Sequence, residues 1–279
     1  MKKVRVPWFF GLHARPGPIF GRLLGIIPIA FLVFVYISCS HKRHIENPSD
    51  KLMPTVSQMY TEMKQIMTIP DKRSGQIFFW ADTKASLRRL GIGVGISAII
   101  GYMLGVGMGM FPGFRALLLP TITGISNINP LALLVIILVF LGVGESSKIF
   151  LIVFGVGIPI SRSVQKMVEN MPNELTVKAL TLGASQGEVI TRVVTPQVLP
   201  QLIELVRVSL GAAWIFVIAA EAIASTEGLG YRIYLQQRYM NMALIIPYVI
   251  YITLVAFSID YGLQILLRKC FRWYSSSSN

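Results

Sequence analysis

Residues 173–200 read NELTVKALTLGASQGEVITRVVTPQVLP, the one long stretch that interrupts the membrane-grade hydrophobicity of the chain with an ordered pattern. Leu175, Ala179 and Leu182 recur at the spacing that places side chains on one face of a helix. Gly183 follows them, where helices commonly end in a left-handed residue that glycine adopts without steric cost. The first part of the stretch therefore predicts a short helix that stops at a glycine turn.

The second part of the stretch predicts another helix. Ser185 and Glu188 match the S-x-x-E pattern of a capping box, in which each side chain bonds to a backbone N–H of the other residue. Branched apolar residues between 189 and 194 supply one apolar face, and Pro196 is expected to end the helix. We thus expect a helix-turn-helix, within a loop at 165–205, between two membrane spans.

The composition indicates an integral membrane protein. Of 279 residues, 53% are hydrophobic and 14% are charged, whereas soluble domains average about 25% charged residues. The net charge of +13 could indicate a nucleic-acid partner, but membrane proteins collect Lys and Arg in their cytoplasmic segments. No basic helix or patch interleaved with aromatic residues occurs in the sequence. We therefore expect membrane lipid, and no nucleic acid, as a partner.

The sequence carries no recognisable pattern for catalysis or cofactor binding. Cys39 and Cys270 lie near opposite ends of the chain and give neither a disulfide framework nor a metal site. A phosphate-binding loop of the form G-x-x-x-x-G-K-[ST] is absent from the sequence. We expect no catalytic residue, cofactor or metal on this chain, so any ATP and Mg²⁺ that drive it belong to another subunit.

Hydrophobic runs predict an all-α integral membrane protein with about six transmembrane helices. The first run could instead be a cleaved signal, although its length favours a retained span. The predicted spans are 23–39, 87–110, 117–141, 149–164, 206–225 and 244–267. The predicted organisation is a cytoplasmic tail at 1–22, an extracytoplasmic segment at 40–85 with an amphipathic helix near 54–67, a core membrane domain at 86–267 and a second cytoplasmic tail at 268–279.

Helix breakers mark the third and fourth spans. Proline and glycine precede a polar run at 126–129 in the third span, and such a break must face protein or water rather than lipid. We predict a kink there that lines a cavity, with Asn127 and Asn129 on a translocation pathway. The fourth span is expected to be short and interrupted around Gly155 and Pro159, a sign of a transport pathway, although helix packing explains its glycines equally well.

Glycines of the second span share one helix face, at Gly101, Gly105 and Gly109, and we predict that they pack closely against another helix. Arg88 and Arg89 are expected to reach the outer membrane interface, since long basic side chains can extend out of the hydrocarbon. Residues 227–243 are predicted to form an outer loop.

Two acidic residues lie well inside predicted spans. Glu221 could serve in a pathway or gate, since buried acids usually face a pathway or a partner, or it could sit in water at the interface. Asp260 is predicted to be a structural partner of a neighbouring helix.

The loop resembles the "EAA" loop of bacterial ABC-importer permeases. That pattern is EAA, three residues, glycine, nine residues, then I-x-L-P, and here nine residues separate Gly183 from V-V-T-P. Val177, Lys178 and Thr195 depart from it. The stretches LTLGAS (180–185) and AAEAIASTEGLGYRI (219–233) resemble the nitrate/sulfonate/taurine branch. The resemblance covers roughly residues 47–273.

This resemblance implies a type I ABC importer permease in the bacterial inner membrane, with both termini and the loop in the cytoplasm. Implied partners are an ATP-binding cassette ATPase dimer, an extracytoplasmic solute-binding protein and a second permease copy, as a homodimer or a heterodimer. The solute is expected to be small and polar or anionic, without being named. The expected ATPase contacts are Glu174, Ala179, Leu182, Gly183, Ala184 and Ser185.

Two other functional classes are alternatives to a permease subunit. An ion-coupled secondary transporter would need coupling groups in the membrane, for which Glu221 and Asp260 are the candidates. A membrane enzyme is disfavoured because no nucleophile–base pair, metal cluster or H-E-x-x-H pattern occurs in the sequence.

Overall fold

The computed structural model describes residues 18–46, 52–70 and 75–276, and within these ranges all regular structure is helical. Most of the predicted tail at 1–22 and residues 277–279 lie outside the described residues. The helices are α1 (Pro18–Glu46), α2 (Val56–Thr68), α3 (Phe78–Met110), α4 (Pro112–Ser126), α5 (Pro130–Leu141), α6 (Glu145–Glu169), α7 (Asn173–Thr181), α8 (Gln186–Val189), α9 (Thr195–Ala224), α10 (Leu229–Arg238), α11 (Met242–Cys270) and α12 (Arg272–Ser276).

Five stretches of helix in the described residues are long and apolar enough to cross a membrane, and α4 with α5 makes a sixth if that bent pair is one span. The five lie in α1, α3, α6, the continuous stretch from α8 through α9, and α11. The prediction of an all-α membrane protein with about six spans is confirmed.

The α3–α6 pair forms the centre of the bundle, and the glycine face of α3 makes it possible. A β-carbon added at Gly101, Gly105 or Gly109 would lie closer than 3.0 Å to side-chain carbons of Ile160, Val164 or Val168, respectively. Without side chains at these positions the two backbones approach closely, as small residues permit in membrane helices. The predicted packing role of these glycines is confirmed.

The predicted interruption of the fourth span is wrong. Helix α6 continues through Gly155 and Pro159 without a break. Gly155 instead makes room for the ring of Phe216 on α9, which would lie within 3.0 Å of an added β-carbon. Packing between helices therefore accounts for this glycine, and the missing proline donor is tolerated within the helix.

The third predicted span is broken where its sequence indicated. Helices α4 and α5 meet at an angle of 99° across residues 127–129. Asn129 caps the second arm, because its Oδ1 accepts a hydrogen bond from the N–H of Leu131 at 3.0 Å. We call this bend the elbow.

The second helix of the 173–200 stretch does not end at Pro196, and that prediction is wrong. Helix α8 passes through a π-helical turn at Ile190–Val194 directly into α9, and this continuous stretch runs to Ala224. Pro196 directly follows the π-helical turn, so its missing N–H falls where the regular i→i−4 hydrogen-bond pattern is already interrupted. The fifth span thus extends without a break from the loop.

Residues 227–243, predicted to be an outer loop, contain α10. Gly228 turns the chain at φ +126° before this helix begins at Leu229. The amphipathic helix predicted near 54–67 is confirmed as α2, which starts from a capping box between Thr55 and Gln58. Met63 and Met67 of α2 pack against the hydrophobic core.

Candidate functional site

The helix-turn-helix predicted between two spans is present at one end of the bundle, which we call the loop end. It joins the last residue of α6 to the first of α9, and residues 173–189 are hereafter the α7–α8 segment. Helix α6 begins and α9 ends at the opposite, far end of the bundle.

The glycine turn closes α7 with two backbone hydrogen bonds. The N–H of Gly183 donates to the carbonyl of Leu180 at 3.0 Å, and that of Ala184 donates to Ala179 at 3.1 Å. These bonds form a Schellman motif, which satisfies the last helical carbonyls and needs a left-handed residue at the turn. Gly183 has φ +88°, so its side-chain-free backbone meets that need.

The capping box at the start of α8 is confirmed. Ser185 Oγ accepts from the N–H of Glu188 at 3.3 Å, and Glu188 Oε2 accepts from the N–H of Ser185 at 2.9 Å. Both ends of the turn are therefore fixed by local hydrogen bonds. The α7–α8 segment is thus a preformed surface turn between two helices rather than an adaptable loop.

The segment exposes several apolar side chains. Leu182 is 88% exposed at the tip of the turn, and three apolar side chains of α7 are also exposed. A single exposed leucine needs no explanation, but four exposed apolar side chains on one short preformed turn indicate an interaction surface. We call this set the exposed strip: Leu175, Val177, Leu180 and Leu182.

The structure divides the six predicted ATPase-contact residues into two groups. Glu174, Leu182, Gly183 and Ser185 are exposed, whereas Ala179 and Ala184 are half-buried and pack against the hydrophobic core. The two alanines therefore lie behind the exposed surface of the turn. Sequence reasoning missed Val177 and Leu180, although their apolar character beside a turn was a usable signal.

Two hydroxyl groups connect the base of the segment to the bundle. Thr195 Oγ1 donates to the carbonyl of Ile190 at 2.8 Å, across the π-helical turn. The same hydroxyl is hydrogen-bonded to Tyr102 of α3. Val194 and Val198 beside it are fully buried. A displacement of α8 is thus coupled to both α9 and α3.

At the far end, Glu221 is completely buried and its carboxylate is fully hydrogen-bonded. It accepts from Arg89 Nη1 at 2.7 Å, from Ser86 Oγ at 2.8 Å and from the N–H of Gly230 at 2.9 Å. The alternative that Glu221 sits in water at the interface is therefore wrong. Its role in a pathway or gate stays a prediction.

Arg89 is the central residue at the far end and is only 2% exposed, so its side chain is enclosed by the protein instead of extending out of it as predicted. Besides Glu221, it binds both carboxylate oxygens of Glu145, at 2.7 and 2.8 Å, and the carbonyl of Glu227 at 2.9 Å. Its neighbour Arg88 is exposed. Two adjacent arginines cannot share one helix face, which was the available sequence signal.

Further pairs extend this network. Asp82 accepts from the N–H of Gly228 at 2.8 Å and from Arg232 Nε at 2.7 Å, which fixes α10 against α3. Lys148 Nζ donates to Glu145 at 2.8 Å. We call this set the far-end cluster: Asp82, Ser86, Arg89, Glu145, Lys148, Glu221, Glu227 and Arg232.

The residues predicted to line a pathway do not lie together. Asn127 and Asn129 are exposed at the elbow, which approaches α6 at Arg162, whereas Glu221 lies beside Glu145 at the start of α6. Seventeen helical rises of 1.5 Å separate Glu145 from Arg162, or about 25 Å. Any pathway that uses both regions must therefore run most of the length of α6.

Asp260, the other acid inside a span, binds Arg207 of α9. Arg207 Nε and Nη2 donate to its two carboxylate oxygens at 2.9 and 3.0 Å. The predicted structural pairing with a neighbouring helix is confirmed.

Comparison with known proteins decides the class. Residues 97–272 match the family model of the binding-protein-dependent transport system inner membrane component. The chain belongs to this family. The taurine transport system permease protein of Escherichia coli is 31% identical over 195 residues, which cover 70% of this chain and 71% of that protein. The bicarbonate transport system permease protein of Synechococcus elongatus is 31% identical over 216 residues, 75% of this chain and 77% of that protein.

Solved structures agree on the fold. An inward-facing conformation of the MetNI methionine ABC transporter has a TM-score of 0.61 at 18% identity, covering 71% of this chain and 99% of that one. A crystal structure of an amino acid ABC transporter with histidines has a TM-score of 0.54 at 16% identity, covering 70% and 93%. The predicted type I importer fold is confirmed.

The chain is therefore the membrane-spanning permease component of a binding-protein-dependent importer, as the sequence predicted. Members of this family are non-catalytic transport subunits of the inner membrane. Membership implies an ATPase and a solute-binding protein as partners. This class displaces the secondary transporter and the membrane enzyme as interpretations.

Proposed function

We propose that the α7–α8 segment docks into a groove of a separate ATPase subunit and transmits its movement to the membrane helices. The observation that carries the proposal is the 88% exposure of Leu182 at the tip of a turn fixed on both sides by hydrogen bonds. A rigid apolar tip can enter a partner's groove with little loss of conformational freedom. ATP and Mg²⁺ bind to the partner in this scheme.

The proposed contact divides into two layers. Leu182, Gly183 and Ser185 touch the ATPase, with Glu174 at the edge of the contact, and the exposed strip on α7 extends it. Ala179 and Ala184 support the turn from inside, because they pack against the bundle. The segment then moves as one piece when the ATPase dimer closes.

Movement of the segment reaches the spans through its base. Helix α8 continues into α9, and Thr195 links the junction to Tyr102 on α3. ATPase closure draws the docked segments together, and the bundle changes between inward- and outward-facing states. Nucleotide and solute shift this equilibrium only to the extent that they bind the two states with different affinity.

The loop end faces the cytoplasm in this proposal, and six crossings place both termini on the same side. The assembly contains two permease copies, a homodimer, around one pathway. A cysteine placed at Ser185 of a variant lacking Cys39 and Cys270 should react with a membrane-impermeant maleimide only after the cells are opened. Labelling in intact cells would overturn the orientation.

The proposed solute is small and polar or anionic. Taurine and bicarbonate, named for two relatives, share a compact anionic group. Uptake of labelled taurine and bicarbonate by cells with and without the permease tests this class. Uptake of neither would point to a solute of other chemistry.

Leu182→Asp tests the docking proposal directly. A charge at the tip should reduce co-purification of the ATPase subunit with tagged permease at least about tenfold, as expected for a central interface residue. Leu182→Met should retain co-purification, and Thr61→Asp on exposed α2 controls for an added charge. Undiminished recovery of the ATPase with Leu182→Asp would refute the docking assignment.

A further inference from the structure

A polar cavity of about 320 Å³ lies between α6 and the end of α4, next to the elbow. Its lining consists of Ser126, Pro159, Arg162, Ser163 and Lys166. Arg162 and Lys166 are four residues apart and therefore project from the same face of α6. Arg162 Nη1 donates to Ser126 Oγ at 2.7 Å, which joins the two walls.

The cavity has two cations and no acid in its lining. Neither Arg162 nor Lys166 pairs with a carboxylate among the described residues. Glu169 is the nearest acid along α6, and it is bound to Arg115 and Gln165. Arg162, Lys166 and Ser163 can donate hydrogen bonds into the cavity. The Ser126 hydroxyl already donates to the carbonyl of Thr123 at 2.9 Å and accepts from Arg162.

An arginine in a membrane-spanning helix ordinarily faces a partner or water, because its charge is costly in hydrocarbon. Arg162 is half-buried, and Ser126 uses one of its five N–H donors. A planar guanidinium with free donors, an ammonium and the Ser163 hydroxyl match a compact group with several acceptor oxygens.

We propose that this cavity binds an oxyanion: a sulfonate, carboxylate or phosphate group. Arg162 makes the principal contact, Ser126 holds the guanidinium in place, and Lys166 contributes a second positive charge. The occupant is either the transported solute, bound next to the elbow during its passage, or the phosphate group of a membrane lipid. The solute form rests on the proposed transport function and deepens it, because it assigns an anion contact to the permease itself.

Methanesulfonate is a suitable probe, since its methyl protons report binding by saturation-transfer NMR. With the purified intact transporter in detergent, a saturation-transfer signal is expected for methanesulfonate and none for neutral dimethyl sulfone. Arg162→Gln should weaken methanesulfonate binding about tenfold, because it removes a charge-assisted hydrogen bond. Arg162→Lys should restore part of it. Lys178→Gln, on exposed α7 outside the cavity, should leave it unchanged.

Native mass spectrometry distinguishes the two sources of the oxyanion. If a phospholipid occupies the site, the natural chain retains a lipid that Arg162→Gln loses, and that lipid suppresses the methanesulfonate signal. If a soluble solute occupies it, the signal persists in lipid nanodiscs. An identical methanesulfonate signal and an identical lipid complement in the natural chain and Arg162→Gln would overturn the proposal.

These results are separable from the docking proposal. Arg162→Gln should still co-purify with the ATPase, because the cavity and the exposed strip have no residue in common. Leu182→Asp should lose the ATPase and keep the methanesulfonate signal.

Discussion

The two ends of the bundle differ in which charged and apolar side chains they bury and which they expose. At the far end, Arg89 and Glu221 are withdrawn from solvent, and their hydrogen-bonding groups are paired within the chain. At the loop end, Leu182 is exposed and the elbow cavity has cations without acids among the described residues. The ionic groups of Arg89 and Glu221 are thus satisfied within the chain, whereas the loop end exposes the groups on which both proposals rest.

This contrast indicates that the far end is suited to hold the fold and the loop end to engage partners. A buried ion pair contributes little net stability when intact, but removal of one member leaves an uncompensated charge. The far-end cluster therefore fixes the relative positions of α3, α6, α9 and α10. The exposed apolar and basic side chains at the loop end contribute little to the free energy of unfolding.

The largest expected effect is that of Arg89→Leu. The change leaves Glu221 buried without its cation and removes both hydrogen bonds to Glu145. We expect a loss of about 3–5 kcal/mol in the free energy of unfolding. The measurement is the yield of monodisperse protein in size-exclusion chromatography, together with the melting temperature.

Arg88→Leu is the matched control, because its side chain is exposed one residue away. It should melt near the natural chain. Equal losses in the two variants would mean that the far-end cluster has no special role in stability.

Gly101→Leu comes next and tests the α3–α6 packing that joins the two ends. An added β-carbon would meet Ile160 side-chain atoms closer than 3.0 Å, and the backbone carbonyl of Gly157 at 3.3 Å. Overpacking of this kind costs about 1–3 kcal/mol. Gly95→Leu, where no atom lies within 4 Å, should melt like the natural chain, and a comparable loss there would contradict the packing argument.

A smaller effect on stability, but a clear one on coupling, is expected for Gly183→Asp. A side chain at φ +88° costs about 1–2 kcal/mol and distorts the tip of the turn. The protein should insert and fold, yet pull down less ATPase. Gly187→Asp adds the same charge within α8, where φ is helical, so a loss confined to position 183 identifies the turn geometry as the cause.

The local part of this structure was predictable from sequence because its interactions are short-range. The Schellman turn at Gly183 and the capping box at Ser185 each depend on residues within five positions. The glycine face of α3 was likewise readable from its spacing of four. Such features follow from helix geometry alone.

The remaining features depend on contacts distant in the chain. Glu221 binds Arg89 across 132 positions, and no pattern in a single sequence identifies that pair. Proline at 159 and 196 predicts helix breaks, but α6 is continuous through Pro159, and a π-helical turn joins α8 to α9. The elbow cavity was not foreseen, since Ser126 and Arg162 meet only in the folded bundle.

The smallest effect on stability is expected for Asp260→Asn. This variant compares an accessible ion pair with the buried pair at the far end. The Asp260 carboxylate accepts two hydrogen bonds from Arg207, and the side chains of this pair are 37% and 20% exposed, whereas those of Arg89 and Glu221 are 2% and 0% exposed. Solvent screens such a pair, so the loss should stay below about 1 kcal/mol. ATP-dependent uptake should persist, because the residue joins α9 to α11 rather than carrying a proton. A melting temperature depressed as far as that of Arg89→Leu would show that pairing geometry, and not burial, makes the far-end cluster indispensable.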